Sequence, residues 1–255
     1  MPELLKLCLF ICPLIFLGGF VDSVAGGGGL ITLPAYLMAG LPVHLAAGTN
    51  KVVNGSGSAI ASVKYFRSGK IQLRPSLWAA AGALAGASFG ARIAMHLSDR
   101  VLQGLMLVAL PVVAVFLVVK KDFGKDPEAR DHSRQYIVLV SLAIGLAVGC
   151  YDGIVGPGTG TLLIMAFTAL LHMDMVTASG CAKVGNVASN VASAVAFILG
   201  GQVMWSIVLP AAACSILGNY CGARYAIRGG GQRIRIMIFV VLGMMFVKML
   251  ADLIR

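Results

Sequence analysis

The 255-residue chain is too apolar for a soluble domain: hydrophobic residues make up 58% of it, charged residues 12%, and its mean hydropathy is +0.90. Soluble domains are about half apolar and about one quarter charged, so too few charges are present here to cover a soluble surface. The formal net charge of +10 does not indicate a nucleic-acid partner, because the Lys and Arg residues lie between apolar runs, as in loops that set membrane orientation.

Charged or Gly/Pro-rich breaks divide the chain into about ten apolar segments, most of which approach the roughly 20 residues needed to cross a bilayer. Segments 28–41 and 158–172 are shorter, and each is entered through glycines. We therefore expect an all-α polytopic protein of the cell inner (plasma) membrane, in which the two short segments cross or re-enter. In chain order the segments are 4–22, 28–41, 45–66, 74–96, 101–119, 136–153, 158–172, 176–198, 204–227 and 232–252.

The second half of the chain repeats the first. At one constant offset Lys51 and Asn54 align with Lys183 and Asn186. Such matches are rare by chance among polar residues of apolar runs, so we predict two tandem repeats of about five helical segments each. The first repeat is expected over 1–119, a charged cytoplasmic linker over 120–134 and the second repeat over 135–255. The first segment resembles a signal peptide, but its counterpart is internal, so we expect it to be kept.

The number of segments bears on the orientation of the repeats. If all five segments cross, the second repeat is inverted relative to the first. A cytoplasmic linker then places two basic clusters inside, in agreement with the positive-inside rule. An inverted repeat around a midplane site is a known transporter plan. The alternative, with both short segments re-entrant and eight spans in parallel repeats, leaves four arginines outside. The basic clusters are Arg67, Lys70 and Arg74, and Arg224, Arg228, Arg233 and Arg235.

Lysines lie several residues inside the third segment of each repeat, where an uncompensated charge costs at least about 2.5 kcal/mol. Asparagines follow three residues later on the same helical face. Together they predict a site for an anion rich in acceptor oxygens, although a lysine could instead snorkel to the interface. The predicted binding residues of these segments are Asn50, Lys51, Asn54 and Ser58 in the first repeat and Lys183, Asn186 and Asn190 in the second.

The glycine runs that enter the short segments suit the same purpose. A helix that begins after Gly29 or Gly160 would present free N–H groups and a positive dipole end to an anion. We therefore add Gly28, Gly29, Gly158 and Thr159 to the predicted binding residues. The alternative is that the glycines serve only close helix packing. Without a following Lys-Ser or Lys-Thr the second run is not a Walker loop.

Two aspartates precede the matched glycines. Asp22 and Asp152 align between the repeats, and each could carry a proton or simply balance a lysine of either repeat. The four histidines, 44, 96, 132 and 172, form no HExxH or paired set, and the six cysteines lack metal-ligand spacing. We expect no enzyme activity, no cofactor and no metal site.

The run Gly19–Pro34, with its Asp-x-x-Ala-Gly-Gly-Gly-Gly pattern, and the element Gly48-Thr-Asn-Lys51 resemble the TauE/SafE (TSUP) family of sulfite and organosulfonate exporters. The resemblance covers nearly the whole chain. It implies secondary transport of small sulfur-containing anions, usually outward and driven by an ion gradient. The second repeat departs from the pattern with Pro157 and Thr159 in place of glycines, so the two halves need not contribute equally.

From residues and resemblance together we expect an exporter of sulfite or a short organosulfonate, coupled to an ion gradient. A passive anion channel, a permease for small carboxylates and a non-transporting membrane subunit are the alternatives. The expected partners are the small anion and the lipid bilayer, and a homodimer is compatible with the sequence. Neither periodicity nor charge reveals the anion, the direction of transport or the coupling ion.

Overall fold

The computed structural model describes residues 2–105 and 132–254, with side chains described over 4–105 and 132–240. Within these ranges the chain is helical and contains no strand. Most of the predicted segment 101–119 and nearly all of the predicted linker 120–134 lie outside the described residues. The helices are α1 (Pro2–Ala25), α2 (Gly29–Met38), α3 (Val43–Arg67), α4 (Leu73–His96), α5 (Arg134–Ile154), α6 (Thr159–Leu171), α7 (Met175–Leu199) and α8 (Trp205–Ile254); residues 99–105 are helical too.

The helices follow the predicted segments closely, so the all-α polytopic class is confirmed. The segments 204–227 and 232–252 form one element, α8, which is broken at Gly230, where φ is 67°. The sequence predicts that the two short helices begin after Gly29 and after Gly160. They begin slightly earlier, α2 at Gly29 and α6 at Thr159. A glycine with left-handed backbone follows the end of the helix before each short helix. These glycines are Gly26 (φ 75°) after α1 and Gly156 (φ 89°) after α5, and residues of this conformation commonly end a helix.

Five helices of the described part, namely α1, α4, α5, α7 and α8, are long and apolar enough to cross a membrane. α3 is also long, with 25 residues, but its Asn, Ser and Lys side chains lower its hydropathy. Large apolar side chains face outward, including Leu9, Phe89, Leu139 and Leu209, the last of which is 81% exposed. An apolar surface of this extent is suited to lipid, and the chain is a multi-pass membrane protein.

Each short helix folds back along the helix before it. A Cβ added to Gly18 of α1 would lie 2.4 Å from Thr32 Cγ2 of α2, so α2 runs back beside α1. The Tyr136 hydroxyl near the start of α5 donates to the carbonyl oxygen of Leu170 at the end of α6, at 3.3 Å. Each short helix therefore forms a helical hairpin with the helix before it, α1–α2 and α5–α6.

The two helices that carry the predicted lysines run antiparallel. Gly48 near the start of α3 packs against Phe197 near the end of α7, whereas Gly180 near the start of α7 packs against Lys70 just beyond α3. Around this crossing the other contacts come in matching pairs. α3 packs on α8 as α7 packs on α4, and α1 packs on α8 as α5 packs on α4.

Glycines bring the outer helix pairs into backbone contact. A Cβ on Gly82, Gly86 or Gly90 of α4 would lie 2.2–2.3 Å from a carbonyl oxygen of α5. Gly218 and Gly222 of α8 approach α1 equally closely. Small residues are the usual means of close helix association in membranes, where no hydrophobic effect drives helices together. These glycines therefore serve close helix packing.

Two apolar cores lie toward opposite ends of the bundle. One contains Tyr36 and Phe197 and includes the first part of α3 as far as Val53. The other contains Tyr65 and Phe167 and includes α3 from Ala61 onward. The polar residues predicted on α3 lie from Asn50 to Ser58, where one core gives way to the other, so the fold places them near the middle of the bundle.

Candidate functional site

A small polar cavity lies where α3 and α7 cross, between the two apolar cores. Its volume is ≈ 20 Å³, room for about one water molecule. Every residue that lines it is polar, charged or glycine, and polar groups this far from bulk water need hydrogen-bond partners or a polar ligand. The lining residues are Asp22, Gly26, Gly29, Asn50, Lys51, Asn54, Ser58, Asp152, Gly156, Thr159, Gly160, Asn186 and Asn190.

One ion pair in the wall joins the third helix of the first half to the first hairpin of the second half. Lys51 Nζ lies 2.8 Å from Asp152 Oδ1, and both side chains are about 95% buried (6% and 5% exposed). The same ammonium group also donates to the backbone carbonyl oxygen of Asp152. Lys51 therefore does not snorkel to the interface.

A second ion pair makes the reciprocal connection. Lys183 Nζ lies 2.7 Å from Asp22 Oδ2, and the lysine side chain is completely buried. Ser58 Oγ donates to the same carboxylate oxygen at 3.4 Å. Each aspartate thus balances the lysine of the other half, one of the roles that the sequence left open. The two pairs together carry no net charge, which limits the cost of burying four ionised groups.

Thr159 connects the Lys51–Asp152 pair to the second hairpin. Its Oγ1 lies 2.7 Å from Asp152 Oδ1 and 2.6 Å from the carbonyl oxygen of Gly156. A hydroxyl has one proton to donate and two lone pairs. It can donate to an ionised Asp152, or donate to Gly156 and accept from a protonated Asp152. The contact is therefore compatible with either protonation state of the carboxyl group.

Helix starts supply backbone donors to the same space. The amide N–H groups of Gly29 in α2 and Gly160 in α6 have no hydrogen-bond partner among the described residues, and both glycines line the cavity. The first turns of helices carry unpaired N–H groups and the positive end of the helix dipole. Such groups attract an anion.

Further polar groups face the cavity with spare bonding capacity. Asn186 is 4% exposed, and its side-chain amide makes no hydrogen bond among the described residues. Asp152 Oδ2 is also buried and unpaired. By contrast, Asn54 donates to Asn50 at 3.1 Å, and Asn190 donates to the Asn186 backbone at 2.7 Å. The Asn186 amide can donate to the oxygens of a small ligand, whereas Asp152 Oδ2 can only accept, from a ligand that carries a proton.

The tips of the two hairpins touch across the cavity wall. A Cβ on Gly26 would lie 2.1 Å from the carbonyl carbon of Gly160, and Thr161 Oγ1 donates to the carbonyl oxygen of Ala25 at 2.7 Å. Only glycine permits such an approach of two backbones. The contact closes the space between the two tips.

The structure brings most of the predicted site residues together. Three predicted residues do not line the cavity: Lys183, which reaches it only through Asp22, and Gly28 and Gly158, which serve as the residues before the short helices. Sequence analysis missed Gly26, Gly156 and Gly160 as lining residues, although Gly26 and Gly156 align between the halves.

The expectation that the histidines form no paired set is wrong for one pair. His132 Nε2 lies 3.1 Å from His172 Nδ1, and the His132 ring stacks on Tyr136. The two histidines are 40 residues apart, so no local pattern could have shown the contact. The pair lies outside the polar cavity.

The chain is similar to a known protein family and to named membrane transporter proteins. The family model described as "Sulfite exporter TauE/SafE" matches residues 11–249. The chain is 34% identical to the "Probable membrane transporter protein ORF9" of Sinorhizobium sp over 246 residues, which are 96% of this chain and 93% of that protein. No solved structure matches the chain.

Two other relatives are similar over nearly their whole length. A "Probable membrane transporter protein" of Haemophilus influenzae is 33% identical, with 93% of this chain and 92% of that protein covered. The "Probable membrane transporter protein YfcA" of Escherichia coli K12 is 32% identical, with 98% of this chain and 91% of that protein covered.

Proposed function

The chain belongs to the sulfite exporter TauE/SafE family, and from that premise we propose that this membrane transporter carries small sulfur-containing anions, sulfite or a short organosulfonate, through the polar cavity. The supporting observation is the cavity itself. It combines a lysine, an unpaired amide and two helix starts, and no apolar side chain lines it. These groups complement a compact ion with several acceptor oxygens.

We propose that the two halves, residues 1–119 and 135–255, form an inverted repeat around this cavity. The antiparallel crossing of α3 and α7 supports the inversion. The reciprocal ion pairs support it too, because exchanging the halves converts Lys51–Asp152 into Lys183–Asp22. If each hairpin returns to the side from which it started, α3, α4 and the segment predicted from the sequence over 101–119 would give the first half an odd number of crossings, which agrees with inversion.

The empty site is electrically neutral, so an anion must compete with a carboxylate for Lys51. Protonation of Asp152 removes that competition and leaves the ammonium group available, and the Thr159 contact tolerates the change. Proton and anion binding should therefore reinforce each other, as linkage requires. One proton with a divalent anion leaves a net negative charge, which an inside-negative membrane potential drives outward.

The touching hairpin tips favour a carrier over a passive channel. A channel needs a continuous path, whereas the Gly26–Gly160 contact closes the space between the two hairpin tips beside the cavity. Separation of the tips would open it, in the manner of transporters in which one repeat moves against the other. A carboxylate permease would use the same hydrogen-bond donors. It would differ from a sulfur-anion transporter in the anion that it prefers, and not in its architecture.

The proposal is tested by flux in proteoliposomes loaded with sulfite, sulfoacetate, sulfate or acetate, with internal pH recorded at the same time. The variant Lys51→Gln/Asp152→Asn removes one ion pair without leaving a buried charge, and Lys70→Gln, outside the cavity, is the matched control. We expect sulfite or sulfoacetate flux with accompanying proton movement in the wild type and control, and at least a tenfold loss in the double variant, equivalent to about 1.4 kcal/mol.

Three outcomes would contradict parts of the proposal. Unchanged flux in the double variant would remove the cavity from the transport path. Flux without proton movement and set only by the anion gradient would support the passive channel. A preference for acetate over the sulfur anions would support the carboxylate permease.

A further inference from the structure

A second cleft lies at the end of the bundle where α3 ends, away from the polar cavity. It is formed by one face of α3 and one face of α8. On α3 its residues recur at helical spacing, at 60, 63, 64 and 67, which is a different face from that of Lys51, Asn54 and Ser58. The residues that line this basic groove are Ile60, Val63, Lys64, Arg67, Ser68, Tyr220, Arg224, Ile227 and Arg228.

Four cations converge on the basic groove, and no carboxylate of the described side chains lies among them. None of Lys64, Arg67, Arg224 and Arg228 forms an ion pair among the described residues, and no carboxylate lines the groove. Lys64 Nζ lies over the Tyr220 ring, 4.2 Å from its centroid. The clustered charges repel one another, so an anion in the groove would be favoured.

The groove is also amphipathic along its length. Ile60, Val63 and Ile227 provide an apolar wall, and Val63 is 48% exposed. On α3, Lys64 and Arg67 follow Ile60 and Val63, and on α8 Arg224 and Arg228 follow Tyr220, with Ile227 between the two arginines. Apolar surface toward the membrane interior with cations toward the water boundary matches a phospholipid, whose acyl chains and phosphate are arranged in the same order.

The positive-inside rule accounts for basic residues at this end of the bundle but not for their convergence. Lys70, Arg74 and Arg235 lie at the same end and do not line the groove. At the corresponding place on the other half, the residues aligned with Lys64 and Arg67 are Ala196 and Leu199. The groove is therefore a local feature of one face.

We propose that the basic groove binds the phosphate headgroup of an anionic phospholipid in the leaflet at that end of the protein, with the acyl chains along Ile60 and Val63. The bound lipid would contact both α8 and α3, and α3 also supplies Asn50, Lys51, Asn54 and Ser58 to the polar cavity. This inference does not depend on which anion the cavity carries.

The test uses the full-length protein, stripped of lipid in neutral detergent and titrated with phosphatidylglycerol, phosphatidylcholine or inorganic phosphate. Retained lipids are counted by native mass spectrometry, and the thermal unfolding midpoint is recorded. The variant Arg67→Gln/Arg224→Gln/Arg228→Gln is compared with Lys70→Gln/Arg74→Gln/Arg235→Gln. The second triple variant has the same net charge as the first. The comparison therefore distinguishes binding in the groove from general electrostatic attraction to the basic end of the protein.

We expect phosphatidylglycerol to bind and raise the unfolding midpoint of the wild type and the control variant, and phosphatidylcholine and phosphate to do neither. Loss of three groove cations should weaken phosphatidylglycerol binding by about 100-fold. Equal weakening in both triple variants would overturn the proposal in favour of a general charge effect. Stabilisation by inorganic phosphate that matches the lipid would overturn it in favour of a soluble-anion site.

Discussion

At the scale of single residues, the buried lysines explain both the stability and the chemistry of the centre. A lysine inside an apolar bundle requires a counterion, and Asp22 and Asp152 provide one each across the boundary between the halves. The sequence predicted all four residues from their recurrence in the two halves. It could not predict which aspartate pairs with which lysine, because that depends on how the halves interlock.

The Lys183–Asp22 pair should be the more sensitive to single substitution, because Lys183 is completely buried. Lys183→Gln leaves an unpaired carboxylate and should destabilise the protein by about 3–5 kcal/mol. The double variant Asp22→Asn/Lys183→Gln removes both charges and should recover much of that loss. Thermal unfolding in detergent measures both. A double variant that is no more stable than the single variant would show that the pair does not balance charge.

At the scale of elements, the apolar runs predicted helix positions well because lipid requires long apolar helices. The direction of the short helices could not be predicted, since hydropathy and length are the same for a segment that crosses partly and one that returns. The direction depends on contacts between distant backbones. The absence of a side chain at Gly18 allows Thr32 of α2 to pack beside α1. Nothing in the sequence distinguishes Gly18 from the many other glycines of the chain.

The hairpin tips should tolerate no side chain at their contact. Gly26→Ala adds a Cβ that would meet the backbone of Gly160 at 2.1 Å, and it also places alanine at a φ of 75°. Gly40→Ala is the matched control, because Gly40 has a φ of 84° with open space around it. We expect Gly26→Ala to lower the free energy of unfolding by about 1–3 kcal/mol more than Gly40→Ala, and to reduce transport. Equal effects of the two substitutions in thermal unfolding would mean that only backbone strain matters and that the tips do not touch.

At the scale of the whole molecule, the account depends on the two halves facing opposite ways. The sequence favours inversion from the distribution of basic residues and the number of segments, and it leaves eight spans in parallel repeats, with both short segments re-entrant, as the alternative. Because each short helix pairs with the helix before it, a hairpin can return to the side on which it began, and inversion is then compatible with re-entrant segments. That pairing is a tertiary contact, and the sequence pattern contains no record of it.

The inversion predicts opposite accessibility for equivalent turns. Lys70 follows α3 and Gln202 follows α7, and the two residues align between the halves. In a variant without native cysteines, Lys70→Cys and Gln202→Cys should react with a membrane-impermeant thiol reagent from opposite sides of oriented vesicles. Reaction of both from one side would establish parallel repeats and exclude the proposed two-fold arrangement.

The central claim is that a small anion binds between the hairpin tips and Lys51. Calorimetric titration of sulfite into the purified protein tests it most directly, with Lys51→Gln/Asp152→Asn and Lys70→Gln alongside the wild type and with equal unfolding midpoints as evidence of intact folding. The account predicts saturable binding to the wild type and Lys70→Gln, tighter at lower pH, and at least tenfold weaker binding to the double variant. Equal affinity in all three proteins would contradict it.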